Sequence, residues 1–359
     1  MGDYTSGSDS SDSSSYASSN KSLKYSNLLL DSDSLRNIFE EFFASETQKN
    51  NIREVELLTL DHNKLASLPF SIINFRSLKI LDISFNSFST IPEVITQCSL
   101  TCLIATGNSL ANDSFPKSFS QLKELKELHL GGNNFSAFPE QVLELPQLKY
   151  LYLGSNRIST IPPDIRKLTR LQFLYLGGNR LTGVPESLSE LRFLEGLVLS
   201  NNQIESLPST IAKMANLRTL LLHQNNLRTL PTEIIALKHL SRLTLRDNPL
   251  VEQFVSTMEL QPSSLLEMAG RVVKTSRVPY GEGDLPRGLR EYLDSAHRCV
   301  NPKCTGVYFD NRIEHVKFVD FCGKYRIPLM LYLCSARCKD NCSAPAGCSD
   351  TLMRKVLLG

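Results

Sequence analysis

Residues 148–168 read LKYLYLGSNRISTIPPDIRKL, and this stretch decides the architecture. Successive strand side chains alternate, so Leu148, Leu151 and Leu153 are set for the inside of a short strand, with Tyr150, Tyr152 and Gly154 outside. Asn156 follows where the chain leaves the strand. Its amide carries donors and acceptors, which suits it to main-chain groups of its own and an adjacent coil. An apolar residue there would leave buried peptide groups unpaired, at roughly 1–3 kcal/mol each. Ile158, Ile161, Ile165 and Leu168 carry the apolar set around an arc. Pro162 blocks regular strand or helix and predicts a short helix or 3₁₀ turn on the return.

The frame recurs at Asn63, Asn86, Asn108, Asn133, Asn156, Asn179, Asn202, Asn225 and Asn248, in steps of 23, 22, 25, 23, 23, 23, 23 and 23 residues. A fixed period in the twenties means stacked units, each unable to bury its apolar face alone. The pattern Leu-x-Leu-x-x-Asn-x-Leu is identified as the leucine-rich repeat, and the resemblance covers residues 52–255. It implies an α/β leucine-rich-repeat solenoid of about nine repeats, with parallel strands on a concave face. Binding, rather than chemistry, is what such a stack favours.

The remaining organisation follows from composition. Residues 1–26 form a Ser-rich tail expected to be disordered. Residues 27–51 hold a capping helix over 33–46, with Asp33 or Ser34 as its cap and Leu35, Ile38, Phe39, Phe42 and Phe43 inward. After the repeats come two helical motifs (256–298), a cysteine-rich module (299–340) and a tail (341–359) expected to be flexible. A net charge of +2 with a weakly basic end argues against nucleic acid or membrane as partner. Nine cysteines, an odd number, and no secretory leader read as a reduced cytoplasmic or nuclear protein.

Outward strand positions can vary without harming the core. His129, Tyr150, Tyr152, Phe173, Tyr175 and His223, beside Gly131, Gly154 and Gly177, read as a trough for a protein substrate, with Arg242 and Arg246 adding charge at the far end. Aromatic residues on strands also simply pack against one another. No nucleophile or carboxylate is evident to turn His129 or His223 into a catalytic group, and Cys98 and Cys102 read as core residues of the irregular third coil.

In PSSLLEMAGRVV (262–273), Ser264-Leu265, Ala269 and Val273 fall at i, i+4 and i+8. Leu285-Pro286, then Leu289 and Leu293, form a second short helix with proline in its first turn. Here the chain resembles substrate receptors of cullin–RING ubiquitin ligases. The first motif is similar to an elongin BC box, which implies Leu265 entering an elongin C pocket, with Ala269 where cysteine is commoner. The second is similar to a cullin box of the cullin-2 kind; Gly288 stands where the cullin-5 form has a second proline. The resemblance implies elongin B/C and cullin-2 as partners. The same spacing also serves helices that merely cap the last coil, as in an intracellular signalling scaffold.

Cys299-x₄-Cys304 and Cys334-x₃-Cys338 have spacings allowed for one structural zinc ion. Between them lies a stretch that reads as two or three strands. Cys322, His297 and His315 are alternative ligands, and free thiols in a small reduced domain are the other reading. The sequence from VNPKCTGVYFD to VKFVDFCGKYRIP resembles a family of intracellular, non-enzymatic repeat proteins.

Overall fold

The computed structural model describes residues 21–44, 53–250, 264–281, 283–301, 303–321, 325–335, 338 and 357–358. It divides into two compact units, Met1–Asn156 and Arg157–Gly359.

In the first unit, strands β1 (Ser22–Lys24), β2 (Leu57–Thr59), β3 (Ile80–Asp82), β4 (Cys102–Ile104), β5 (Glu127–His129) and β6 (Tyr150–Tyr152) pair in parallel and in chain order. Their register aligns Leu58, Leu81, Leu103, Leu128 and Leu151 in one fully buried column. Each strand stops after three residues because the asparagine frame turns the chain. The residue before the asparagine is left-handed: φ is 53° at His62, 51° at Phe85, 67° at Gly107, 63° at Gly132 and 54° at Ser155. The asparagine then stitches coil to coil. Asn156 Nδ2 donates to Leu130 O (3.0 Å), Leu153 O (3.0 Å) and Gly154 O (3.2 Å), while Oδ1 accepts from Phe135 N–H (3.1 Å).

The return segments are 3₁₀ turns, as Pro162 predicts. Proline does more than block: it opens the turn. Pro69, Pro92 and Pro139 hold φ near −67°, −62° and −70°, and their carbonyls accept from Ile72, Ile95 and Val142.

Two expectations at the amino end are corrected. Strand β1 lies in what composition reads as tail, because main-chain pairing with β2 rather than apolar burial holds it, with Tyr25 N–H donating to Thr59 O (2.8 Å) and Glu56 N–H to Lys21 O (2.8 Å). Just past it the Asn63 side chain accepts from Leu28 N–H (3.1 Å) and Leu30 N–H (3.0 Å) and donates to Tyr25 O (2.7 Å). Helix α1 (Ser32–Ala44) is capped by Asp31, not Asp33 or Ser34, through Ser34 N–H to Asp31 Oδ1 at 2.8 Å. That bond holds the Asp31 carboxyl below its ordinary range. Ser32 is engaged elsewhere, its Oγ accepting from Ala66 and Ser67 N–H. Leu35 and Phe39 are fully buried, with Phe39 edge-on to Phe75, while Ile38, Phe42 and Phe43 are half-buried.

In the second unit, β7 (Phe173–Tyr175), β8 (Gly196–Val198) and β9 (Thr219–Leu221) continue the pattern; after a short β10 (Leu230–Pro231) comes β11 (Arg242–Thr244), paired with β9. Left-handed residues recur at Gly178, Asn201, Gln224 and Asp247. Helices α2 (Leu265–Thr275) and α3 (Arg287–Asp294) follow. Then β12 (His297–Arg298) pairs antiparallel with β13 (Val307–Tyr308), and β14 (Ile313–Phe321) with β15 (Tyr325–Leu333). Strand β15 runs parallel to β10, with Leu329 opposite Leu230, seating the module on the last coils. Strand β16 (Leu357–Leu358) joins β11, within the segment expected to be a flexible tail. Among the described residues no helix is long and apolar enough to cross a membrane.

Candidate functional site

Helix α2 is amphipathic in an inverted sense. Leu265 is 81% exposed, Leu266 50%, Met268 47% and Val272 62%, with Ala269 exposed beside them. Glu267, by contrast, is 2% exposed. Ser264 starts the helix, its Oγ accepting from Glu267 N–H at 3.1 Å. The carboxylate of Glu267 does not return to the cap. It points inward and pairs with Arg271 (2.6 Å).

Three motif residues depart from the resemblance. Val273 does not line the face of Leu265 and Ala269: it packs with Tyr280, Leu285, Tyr292 and Ala296 on a buried cluster of Leu293, Val307 and Phe309. Leu285, just before α3, and Leu293 within it serve that same cluster, which leaves Pro286 and Leu289 exposed. Lys274 and Tyr280 both bond Asp294, holding the two helices together. The face open to a partner is therefore Leu265, Leu266, Met268, Ala269 and Val272, with Pro286 and Leu289 on the second helix.

The outward strand residues are less open than the sequence implies. In the first unit His129 stacks on Tyr152 (4.1 Å, 15°) and its Nε2 meets Glu127 Oε1 at 2.7 Å. Burial raises the Tyr152 phenol above its ordinary pKa. Tyr150 is exposed. In the second unit Phe173 lies on Gly196, where an added Cβ would come within 2.2 Å of its ring. Tyr175 is exposed but leans over Gly177, so that glycine leaves no empty trough. His223 Nδ1 meets Thr244 Oγ1 at 2.9 Å, and Arg242 and Arg246 are exposed, Arg246 beside Asp247 (3.5 Å).

Residues that sequence reasoning set aside also meet here. Cys102 is buried but lies on the outward side of β4, not in the core, because Leu103 takes the inward position. Its thiol, the His129 imidazole and the Glu127 carboxylate lie within 4.8 Å of one another. The reading that no carboxylate accompanies His129 is thus corrected. The repeat step carried the signal: the 25 residues from Asn108 to Asn133 also separate Cys102 from Glu127. The arrangement is not an activated nucleophile. Burial, with added repulsion from Glu127 and Asp82, pushes the Cys102 thiol up to about 12.

Cys299, Cys304, Cys334 and Cys338 converge, with Sγ atoms within 4.8 Å. Cys304 and Cys334 are 3.5 Å apart, and Cys334 and Cys338 are 3.7 Å apart. Tetrahedral zinc with Zn–S near 2.3 Å requires S···S of about 3.8 Å, so the donor set fits. Gly306 N–H donates to Cys304 Sγ at 3.2 Å, and a Cβ on Gly306 would lie 2.6 Å from Cys334 Sγ. A side chain at position 306 would therefore crowd the sulfur atoms, and glycine leaves them room. His297 stacks on Tyr308, outside this cluster, and Cys322 lies outside the described residues.

Family models described as Leucine rich repeat match residues 113–157, 123–181 and 192–250, with a further Leucine Rich Repeat match at 77–98. The chain is 58% identical over 322 residues to Leucine-rich repeat-containing protein 58 of Xenopus laevis, covering 87% of this chain and 92% of the relative. The chain belongs to the leucine-rich-repeat family. A relative of the same name from Xenopus tropicalis is 48% identical over 322 residues, with the same coverage. A solved structure described as an octameric complex of Latrophilin 3, Unc5D and FLRT2 (LRR) is similar at 22% identity and a TM-score of 0.50, covering 75% of this chain and 88% of that one; this likeness concerns the fold alone. Leucine-rich-repeat proteins are typically binding scaffolds, and the extent of the match makes protein binding the function class of this one.

Proposed function

We propose that this protein is a non-catalytic substrate receptor of a ubiquitin ligase. Helix α2 binds elongin B/C through Leu265, α3 meets cullin-2 through Pro286 and Leu289, and the repeats hold a protein substrate. The receptor makes and breaks no bond; it brings a target lysine near a ubiquitin-charged enzyme, in the cytoplasm or nucleus. One observation carries the reading: Leu265 is 81% exposed on a helix that buries its glutamate instead. Merely capping the last coil calls for the opposite orientation. The four cysteines hold one structural zinc ion, with no open position for a substrate. Tyr150 in the first unit and Tyr175 in the second, both exposed, are the residues that contact substrate.

The competing reading is a signalling scaffold without ligase association. It draws on Val273, Leu285 and Leu293, which are spent on a local core. Co-purification with elongins B and C separates the two. Leu265→Asp, on a residue that supports no core, should abolish capture while the melting temperature stays within about a degree, as expected of surface substitutions. Normal assembly of that variant with elongins would rule the receptor reading out.

A further inference from the structure

The buried side of α2 is wired to the four-cysteine site. Glu267 Oε1 accepts from Phe309 N–H (3.3 Å) and Oε2 from Asn311 N–H (3.1 Å). Arg271, paired to that carboxylate, donates Nη1 to the carbonyl oxygen of Cys334 (2.8 Å) and Nη2 to that of Asn311. Cys334 is one of the four thiols. Gly270 lets the Phe309 ring close on the helix, since an added Cβ would sit 3.0 Å from it. The other side of that ring's contacts is α3, with Tyr292 stacked on Phe309 at 4.5 Å and 7°. Both helices are therefore held by the segment running from Cys304 to Cys334, and its two ends meet at the thiols, 3.5 Å apart.

Four uncharged thiols at such distances make only weak S–H contacts, whereas thiolates on a cation close the segment firmly. A buried ion pair deprived of its surrounding donors is unfavourable, so opening this closure reaches Glu267 and Arg271 directly. The apolar stripe they display then has no reason to stay outward, because its own preference is to be covered. We infer that metal occupancy of the four-cysteine site governs presentation of the Leu265–Val272 face, with Glu267 and Arg271 as the positioning residues that transmit it. The inference rests on the proposed reading of that face as a docking surface, but its first readout does not.

The test uses the full-length protein purified with zinc, and the same protein after chelation. Hydrogen exchange is followed by mass spectrometry at 264–275 and 287–294, and elongin B/C affinity is measured in parallel. Removing zinc should speed exchange in both helices at least tenfold, leave peptides from β2–β5 unchanged, and weaken elongin B/C binding at least tenfold. Arg271→Lys should keep one zinc per chain yet show part of the faster α2 exchange, because lysine cannot span Glu267 and both carbonyls. Equal α2 exchange with and without zinc, or protein that takes up no zinc, would overturn the inference. Helices that loosen on zinc removal in a protein that binds elongin B/C in neither state would uphold the coupling and sink the docking reading.

Discussion

The asparagine ladder gives a prediction whose size can be worked out from the contacts. Asn156 is 8% exposed. In Asn156→Ala, Phe135 N–H loses its acceptor at 3.1 Å, whereas Leu130 O keeps a donor in Asn133 Nδ2 at 3.0 Å. Gly154 O likewise keeps one, because Gly132 N–H still reaches it at 2.9 Å. One stranded buried amide, at roughly 1–3 kcal/mol, gives a loss of about 2 kcal/mol. Asn248 makes the same kind of bonds, to Leu222 O (2.9 Å) and from Leu227 N–H (3.1 Å), but it is half-buried. Water can replace its contacts, so Asn248→Ala should cost about 1 kcal/mol. Urea unfolding of the two variants measures the difference, and native-state exchange at the Phe135 amide localises it. That amide should exchange about thirtyfold faster in Asn156→Ala, the equivalent of about 2 kcal/mol. Equal losses at the two sites, or an unchanged Phe135 amide, would refute the account of burial as what makes the inner asparagines strong.

Other consequences are open to measurement. Gly196→Ala should destabilise by about 1–3 kcal/mol in urea, since its Cβ would strike the Phe173 ring, and Phe173→Leu in the same chain should restore part of the loss. His223 is held below its ordinary pKa by burial first and by Arg246 and Arg242 next. The unfolded chain therefore takes up the proton first, stability is full above the ordinary histidine value, and it declines as pH falls below about 6.5. His223→Gln should flatten that decline between pH 7 and 5.5 in thermal melts. Cys102, with its thiol pushed up to about 12, should resist iodoacetamide at pH 7.5 in the folded protein and react on denaturation.

The stacked coils were legible because their signal repeats: one asparagine frame, read nine times, fixes strand, turn and arc together. The left-handed residue before each asparagine was not. Gly107, Gly132 and Gly178, and more weakly Asn201 and Asp247, advertise it, whereas Phe85 and Ser155 adopt the same conformation because the surrounding hydrogen bonds impose it. The convergence of the four cysteines was legible from spacing, since a sulfur site takes its donors in near-neighbour pairs. The α2 helix was half legible. Spacing gave the motif, but not that Glu267 and Arg271 would occupy the inner face and turn Val273 aside. Composition counts a glutamate as solvent-facing, and only Phe309 and Asn311, more than forty residues on, supply the amides that bury it. Cys102, Glu127 and His129 were missed for a related reason: their meeting needs strand register, not proximity in the chain.

The outward leucines of α2 bear on the life of the free protein. Leu265, Met268 and Val272 lie open to water, and exposed apolar surface of this kind is what drives self-association and what chaperones and quality-control proteases recognise. The protein's steady-state abundance would then be set less by its own synthesis than by the supply of whatever covers that helix, so that excess copies are cleared and stoichiometry corrects itself.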